Sequence, residues 1–198
     1  MPVITLSREI GSRGDDVAMA VAERLGLRLV GRELINRAAR AAGAPEVALA
    51  EIDELGLLGV KPSLTAVRLY TQKVAEVIRE LAARGDLLVV GRGGQVVLAD
   101  EPGVLHMRVI APRPMRLQLV QARCHVTPEA ATARIDASDK ARAAYLRRAH
   151  GVRWDAAGLY DMVLNMAHLS VADAAEVVCL AAKRTADKTP AAIRGASL

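Results

Sequence analysis

Pro2-Val3-Ile4-Thr5-Leu6 runs without interruption into Ser7-Arg8-Glu9-Ile10-Gly11-Ser12-Arg13-Gly14-Asp15-Asp16, and the reading of this junction decides the fold. The first five residues are short, β-branched and apolar, the pattern of a buried strand, and the glycine-bearing stretch behind them reads as a turn. A helix follows, because Val17, Val21 and Leu25 recur every four residues until Gly26 stops the run. Asp15 and Asp16 fall in its first turn, where carboxylates complement the positive end of the helix dipole. The chain therefore opens with strand, Gly-containing loop and helix.

The same alternation continues outward. Leu27 to Val30 reads as a second short strand, and from Arg32 to Arg84 the pattern is helical with a break between Gly56 and Pro62. The later helical stretch carries Val67, Val74, Val77, Ile78 and Leu81 at near-helical spacing and stops by Gly85. Leu87-Leu88-Val89-Val90 is a third strand that opens into Gly91-Arg92-Gly93-Gly94, and Val104 to Ile110 is a fourth, ended by Pro112 and Pro114. Thr127 fits an N-cap with Pro128 at the first helical position, for a helix that runs to about His150 before Gly151. Met162-Val163-Leu164 is a fifth strand, and Ser170 with Asp173 makes a capping-box-like start to a last helix. One domain over residues 1–182 is expected, with a helical insert at about 33–84 and a frayed tail at 183–198.

Strands alternating with helices argue for a three-layer α/β domain with a mostly parallel sheet. Ligands of such folds bind beyond the carboxyl ends of the strands. Three strand ends each deliver an Arg there: Arg8, Arg32 and Arg92, the first and last beside several glycines. That convergence predicts an anion site.

Composition narrows the classes. The 198 residues are 52% hydrophobic and 25% charged, which supports a core and excludes a disordered chain. There is no Phe, one Trp and three Tyr, so stacking platforms for single-stranded nucleic acid are not expected, and nucleic acid is the weakest partner class. The formal net charge is +5, and Arg outnumbers Lys among the basic residues. Guanidinium forks match phosphate oxygens, although a GC-rich genome yields the same bias. Cys124 and Cys179 are isolated and the N-terminus carries no targeting or membrane-spanning pattern, so a cytoplasmic, non-membrane protein is expected. His106, His125, His150 and His168 are scattered, which gives zinc no ligand spacing. Glu51, Asp53 and Glu54 read as a solvated helix face, and Trp154 near Tyr160 as packing.

Six segments in order resemble the cytidylate kinase-like family: ITLSREIGSRGDDVA, GRELI, LLVVGRGGQVVL, HMRVIAPRPMR, DASDKARAAYLRR and LYDMVLNMAHLS. The resemblance implies a P-loop NTPase-like fold with a five-stranded parallel sheet, a helical acceptor-binding insert and a helical lid at about 113–150. It also implies ATP-dependent phosphoryl transfer to a nucleoside monophosphate such as CMP, or to another small phosphorylated acceptor, with Mg2+.

A working phosphate loop brings backbone N–H groups to phosphate oxygens and adds a Lys for the β- and γ-phosphates and a Ser or Thr for Mg2+. Laying Gly11 to Asp16 on the Gly-Ser-Gly-Lys-Ser-Thr end of that motif puts Gly14 at the Lys position and Asp15 at the metal-binding Ser. Ser7, Arg8, Gly11, Ser12, Arg13, Gly14, Asp15 and Asp16 are the expected nucleotide-binding residues, with Asp15 as metal ligand. The resemblance makes Arg32, Arg92 and Gly93 the acceptor site, Gly31 replacing an Asp of the family pattern. The spacing Asp136, Asp139, Arg142 matches the family's lid, where residues three apart share a helical face. Arg142, Arg13 and Asp139 are the expected catalytic residues, with Arg134, Arg147 and Arg148 as neighbours and Ile135 where the family has an Arg. A catalytically degenerate nucleotide-sensing or partner-binding protein of the same fold is the alternative that the missing Lys leaves open.

Overall fold

The computed structural model describes residues 2–41, 43 and 63–187. Five strands form one parallel sheet: β1 (Val3–Arg8), β2 (Arg28–Val30), β3 (Leu87–Val90), β4 (Val104–Ile110) and β5 (Met162–Asn165), in the order β2-β3-β1-β4-β5. The helices are α1 (Gly14–Leu25), α2 (Arg32–Ala41), α3 (Leu64–Ala83), the single turn α4 (Gly94–Val97), α5 (Arg113–Cys124), α6 (Pro128–His150) and α7 (Val171–Asp187). The strand and helix limits follow the chemistry of their ends. Gly26 takes a left-handed conformation and closes α1, and the Thr127 hydroxyl accepts from the Ala130 N–H with Pro128 behind it. Asp173 accepts from the Ser170 N–H and hydroxyl while its own N–H donates to Ser170 Oγ, a reciprocal cap for α7.

Strands buried on both faces are apolar throughout, and their alternation sorts side chains between two cores. Ile4, Leu6, Leu88, Val90, Leu105 and Met107 face α1 and α7. Val3, Val30, Leu87 and Val89 face Ile35 of α2 and Tyr70, Val74 and Ile78 of α3. The second helix of the expected insert is thus part of the outer layer of the domain, seated on the sheet. The acidic cluster at Glu51, Asp53 and Glu54 and the break at Gly56 to Pro62 lie outside the described residues. At the other end, α7 continues to Asp187, past the residue 183 at which fraying was expected, because Ala182 is buried on α1's side of the sheet. Among the described residues no helix is long and apolar enough to cross a membrane.

The topology creates the crevice. β1 and β3 are neighbours, yet the helix after β1 covers one face and the helix after β3 the other. Their carboxyl ends, Ser7-Arg8 and Gly91-Arg92, therefore open side by side into the gap between diverging chains. A third small core of Val120, Ala131 and Ile135 joins α5 to α6 and packs Ile10 of the β1–α1 loop against it.

Gly11 shows how close that contact is. Its φ is +77°, and a Cβ there would lie 2.6 Å from the Arg116 carbonyl oxygen and 2.9 Å from its Cα. Gly11→Ala is expected to cost at least about 2 kcal/mol in urea unfolding, since left-handed strain and a backbone clash add.

Candidate functional site

Four arginines line one cleft beyond the carboxyl ends of β1, β2 and β3: Arg8, Arg32, Arg92 and, from α6, Arg142. Ser7, Gln95, Tyr145 and Trp154 are also on its walls, and among the described residues no carboxylate lines it. The supports are aromatic. Arg92, only 7% exposed, lies 5.7 Å from the Tyr145 ring centroid, and the Tyr145 hydroxyl donates to the Arg92 carbonyl at 3.3 Å. Arg142 lies 5.9 Å from the Trp154 ring centroid and donates from Nη1 to Ser138 Oγ at 2.6 Å. Trp154 is in turn fixed by Nε1–H to Ser7 Oγ at 2.8 Å and by Arg108, whose guanidinium stacks at 4.4 Å and donates to the Trp154 carbonyl. Faces of aromatic rings carry partial negative charge and hold guanidinium planes without neutralising them. Burial pushes the Tyr145 and Tyr70 hydroxyls up, with Arg92 opposing in both, so both stay protonated donors.

Backbone strain sits at the same place. Gly91, Arg92 and Gly93 have φ of +75°, +57° and +70°. For Arg92 that left-handed conformation costs about 1–2 kcal/mol, of the kind retained where a side chain must be aimed. Gly93 is required for a second reason: a Cβ there would meet the His150 ring at 2.5 Å.

The β1–α1 loop is organised by Glu9 and Arg116. The Glu9 carboxylate meets Arg108 Nη2 at 3.5 Å and Arg116 Nη1 at 3.3 Å, and it accepts the Ala111 N–H. Arg116 also donates from Nε to the Ile10 carbonyl at 2.8 Å and from Nη2 to Asp139 at 2.8 Å. Inside the loop the fully buried Ser12 hydroxyl donates to the Glu9 carbonyl and accepts from the Gly14 N–H.

The expected residues divide accordingly. Ser7, Arg8, Arg32, Arg92, Gly93 and Arg142 share the cleft. Gly11, Arg13, Gly14 and Asp15 border a separate groove against α5, with Arg123 and Cys124 opposite. Arg13 is thus apart from the four arginines, and its Nε donates to Asp16 at 3.1 Å. Burial works against the Asp16 carboxylate, but hydrogen bonds from Arg123 and Arg13 outweigh it and hold the carboxyl below the usual range. Asp139 is engaged by Arg116 and Asp136 by Arg113, so the two acids tie α6 to α5 while Arg142 continues into the cleft. Ile135 is fully buried in the α5–α6 core and does not reach the cleft. Arg134, Arg147 and Arg148 are exposed. Glu9, Arg108, Arg116 and Tyr145 were not expected at the site. Arg113 and Arg116 are three apart, as are Asp136 and Asp139, and that matched spacing is the signal that pairs the helices.

The family model described as the cytidylate kinase-like family matches residues 3–168. The chain belongs to this family. No curated protein matches. Among solved structures, an uncharacterized protein from Eubacterium ventriosum is similar at 19% identity and TM-score 0.74, covering 92% of this chain and 99% of that one. A shikimate kinase from Acinetobacter baumannii in complex with shikimate is 17% identical with TM-score 0.51, covering 93% and 94%. A gluconokinase from Sinorhizobium meliloti is 12% identical with TM-score 0.54, covering 94% of each chain. At these identities the likenesses show the fold, an α/β P-loop kinase fold with a five-stranded parallel sheet.

The residues of this cytidylate kinase-like chain fit a polyphosphate in their chemistry, because the guanidinium forks of the four cleft arginines match phosphate oxygens. For Mg2+ the donor set is sparse: no group of three His, Cys, Asp or Glu is placed to hold a metal among the described residues. Asp15 stands in the first turn of α1 with Oδ1 on Arg8 Nε at 2.9 Å. Mg2+ is commonly held by one or two carboxylates plus substrate phosphates, and Asp15 is one carboxylate of this loop, beside Asp16, which pairs with Arg13 and Arg123.

Removing one partner from a buried ion-pair network leaves an uncompensated charge. Arg116→Ala is expected to cost about 3–5 kcal/mol in urea unfolding, whereas Arg113→Ala, on the exposed pair with Asp136, costs less than about 1 kcal/mol. Burial lowers the His150 and His106 imidazoles from their ordinary value, Asp161 partly opposing in His106. Both are neutral in the folded state, so the unfolded chain binds more protons, and their contribution is present above about pH 6.5 and lost as pH falls below it. Thermal melts from pH 7.5 to 5 are expected to show a falling midpoint, with a shallower fall in His150→Gln.

Proposed function

We propose that this protein transfers the terminal phosphoryl group of ATP to a small phosphorylated acceptor, a nucleoside monophosphate such as CMP. The observation that carries this reading is the gathering of Arg8, Arg32, Arg92 and Arg142 in one cleft at the strand ends. ATP would supply the phosphoryl group and Mg2+ would offset charge on its phosphates. An acceptor phosphate oxygen forms the new P–O bond to the γ-phosphorus as the bond to ADP breaks.

Such a reaction gives the protein little covalent work; positioning and electrostatics carry it. Arg92 and Arg32 hold the acceptor's phosphate, and Gly93 lets the chain pass close beside it. Arg142 stabilises charge that builds on the transferring group, aimed beforehand by Trp154 and Ser138. Tyr145, a protonated donor held against Arg92, and the Trp154 wall keep water from the reacting oxygens.

The test is ADP release measured across nucleoside monophosphates. Arg92→Ala is expected to raise the acceptor KM, and Arg142→Ala to lower kcat about 100-fold or more. Turnover that survives both substitutions overturns the assignment. Calorimetric binding of nucleotide with no turnover by any acceptor favours a nucleotide-sensing role, a reading that Gly14 at the Lys position supports.

A further inference from the structure

Gly14 stands where a phosphate-loop lysine belongs, and the structure shows what occupies the space. A Cβ built on Gly14 would lie 2.5 Å from Arg8 Cβ and 3.0 Å from Arg8 Cγ. The stem of Arg8 therefore fills the position from which a lysine side chain at residue 14 would set out. From there the side chain leans along the loop: Nε meets Asp15 Oδ1 at 2.9 Å, and Nη1 comes within 3.3 Å of where a Cβ on Gly91 would be. The guanidinium thus bridges the first turn of α1 and the end of β3, and it lines the four-arginine cleft.

We propose that Arg8 is the relocated phosphate-loop cation of this protein, binding the β- and γ-phosphates of ATP from the end of β1. This rests on the phosphoryl-transfer reading above and names the residue that makes a loop without lysine competent. Two glycines make the exchange possible, Gly14 by leaving room for the stem and Gly91 by leaving room for the guanidinium. Asp15 is the positioning residue, since its carboxylate accepts from Nε and holds the side chain on its course from Gly14 toward Gly91. Arg13 does not qualify: it caps α1 in a left-handed conformation, pairs with Asp16 and borders the other groove. The arrangement also explains why lysine is absent at 14, because a side chain there and the Arg8 stem exclude each other.

The exclusion gives the experiment. Binding of MgATP and of AMP is measured by calorimetry for wild type, Arg8→Lys, Arg8→Met, Arg8→Gly, Gly14→Lys and the double variant Arg8→Gly with Gly14→Lys, each checked by thermal melting. Arg8→Met keeps the stem over Gly14 and removes only the charge, so it reads the effect even where Arg8→Gly does not fold. MgATP affinity is expected to fall about 10-fold or more in Arg8→Met and Arg8→Gly, and to stay within about threefold of wild type in Arg8→Lys. AMP, lacking the β- and γ-phosphates, is affected less. Gly14→Lys alone is destabilised, while the double variant regains MgATP affinity over Arg8→Gly. If Arg8→Met and Arg8→Gly bind MgATP as wild type does, or a folded double variant binds no better than Arg8→Gly, the relocation is overturned while the phosphoryl-transfer reading stands. If wild type itself binds no MgATP, that reading fails and the relocation with it.

Discussion

The Glu9 carboxylate is the contact on which the site depends, because it joins three elements that the topology brings near one another but does not fix. Arg108 reaches it from β4, Arg116 from α5, and the Ala111 N–H from the segment between them. Through Arg116 the same network grips the Ile10 carbonyl and Asp139 of α6. Through Arg108 it grips Trp154, and through Trp154 the Ser7 hydroxyl at the end of β1. Two cations and one anion at Glu9 leave excess positive charge under the loop, which Asp139 balances. Such buried networks contribute little net stability over an apolar alternative, but losing a member is costly. Their return here is geometry: loop, strand ends and α6 hold one arrangement.

That arrangement addresses the problem of collecting like charges. Four guanidiniums around one cleft repel, and without compensation they would swing into water. Arg92 is stacked by Tyr145, Arg142 by Trp154, and Arg8 is held by Asp15 from outside the cleft. The two stacking partners, Tyr145 and Trp154, are themselves walls of the cleft. The strained conformation of Arg92 belongs to the same economy, since an Arg at φ +57° between two glycines enters the crevice from a backbone that passes directly beneath it.

Much of the fold was legible in the sequence because it rests on local signals. β4 spans Val104–Ile110 as its apolar run indicates, and α6 runs from Pro128 to His150 between a Thr cap and a Gly stop. The five strands and their order of occurrence followed from apolar runs, the first three of which lead into glycine-bearing turns and the fourth into prolines. Tertiary packing is less legible: Tyr70, Val74 and Ile78 seat α3 on the sheet as a layer of the core, and helical spacing alone does not say which surface such a face covers. At the site, strand-end arginines were readable because parallel strands present their carboxyl ends together. Glu9 with Arg108, and Arg116 with Ile10, are partners about a hundred residues apart, and no local period announces them. Arg13 was grouped with the others by its closeness in sequence to Arg8, but the left-handed turn at residue 13 sends it to the opposite side of the loop.

The seat of His150 on Gly93 bears on how the last long arm of the molecule behaves. Asp139 pins α6 near its middle, and the His150 ring, lodged where Gly93 has no side chain, fastens its far end about 16 Å away along the axis. Arg142 and Tyr145 lie on the span between these two anchorages. The stretch between these two contacts carries its guanidinium on a length of helix seated against both the β1–α1 loop side and the end of β3.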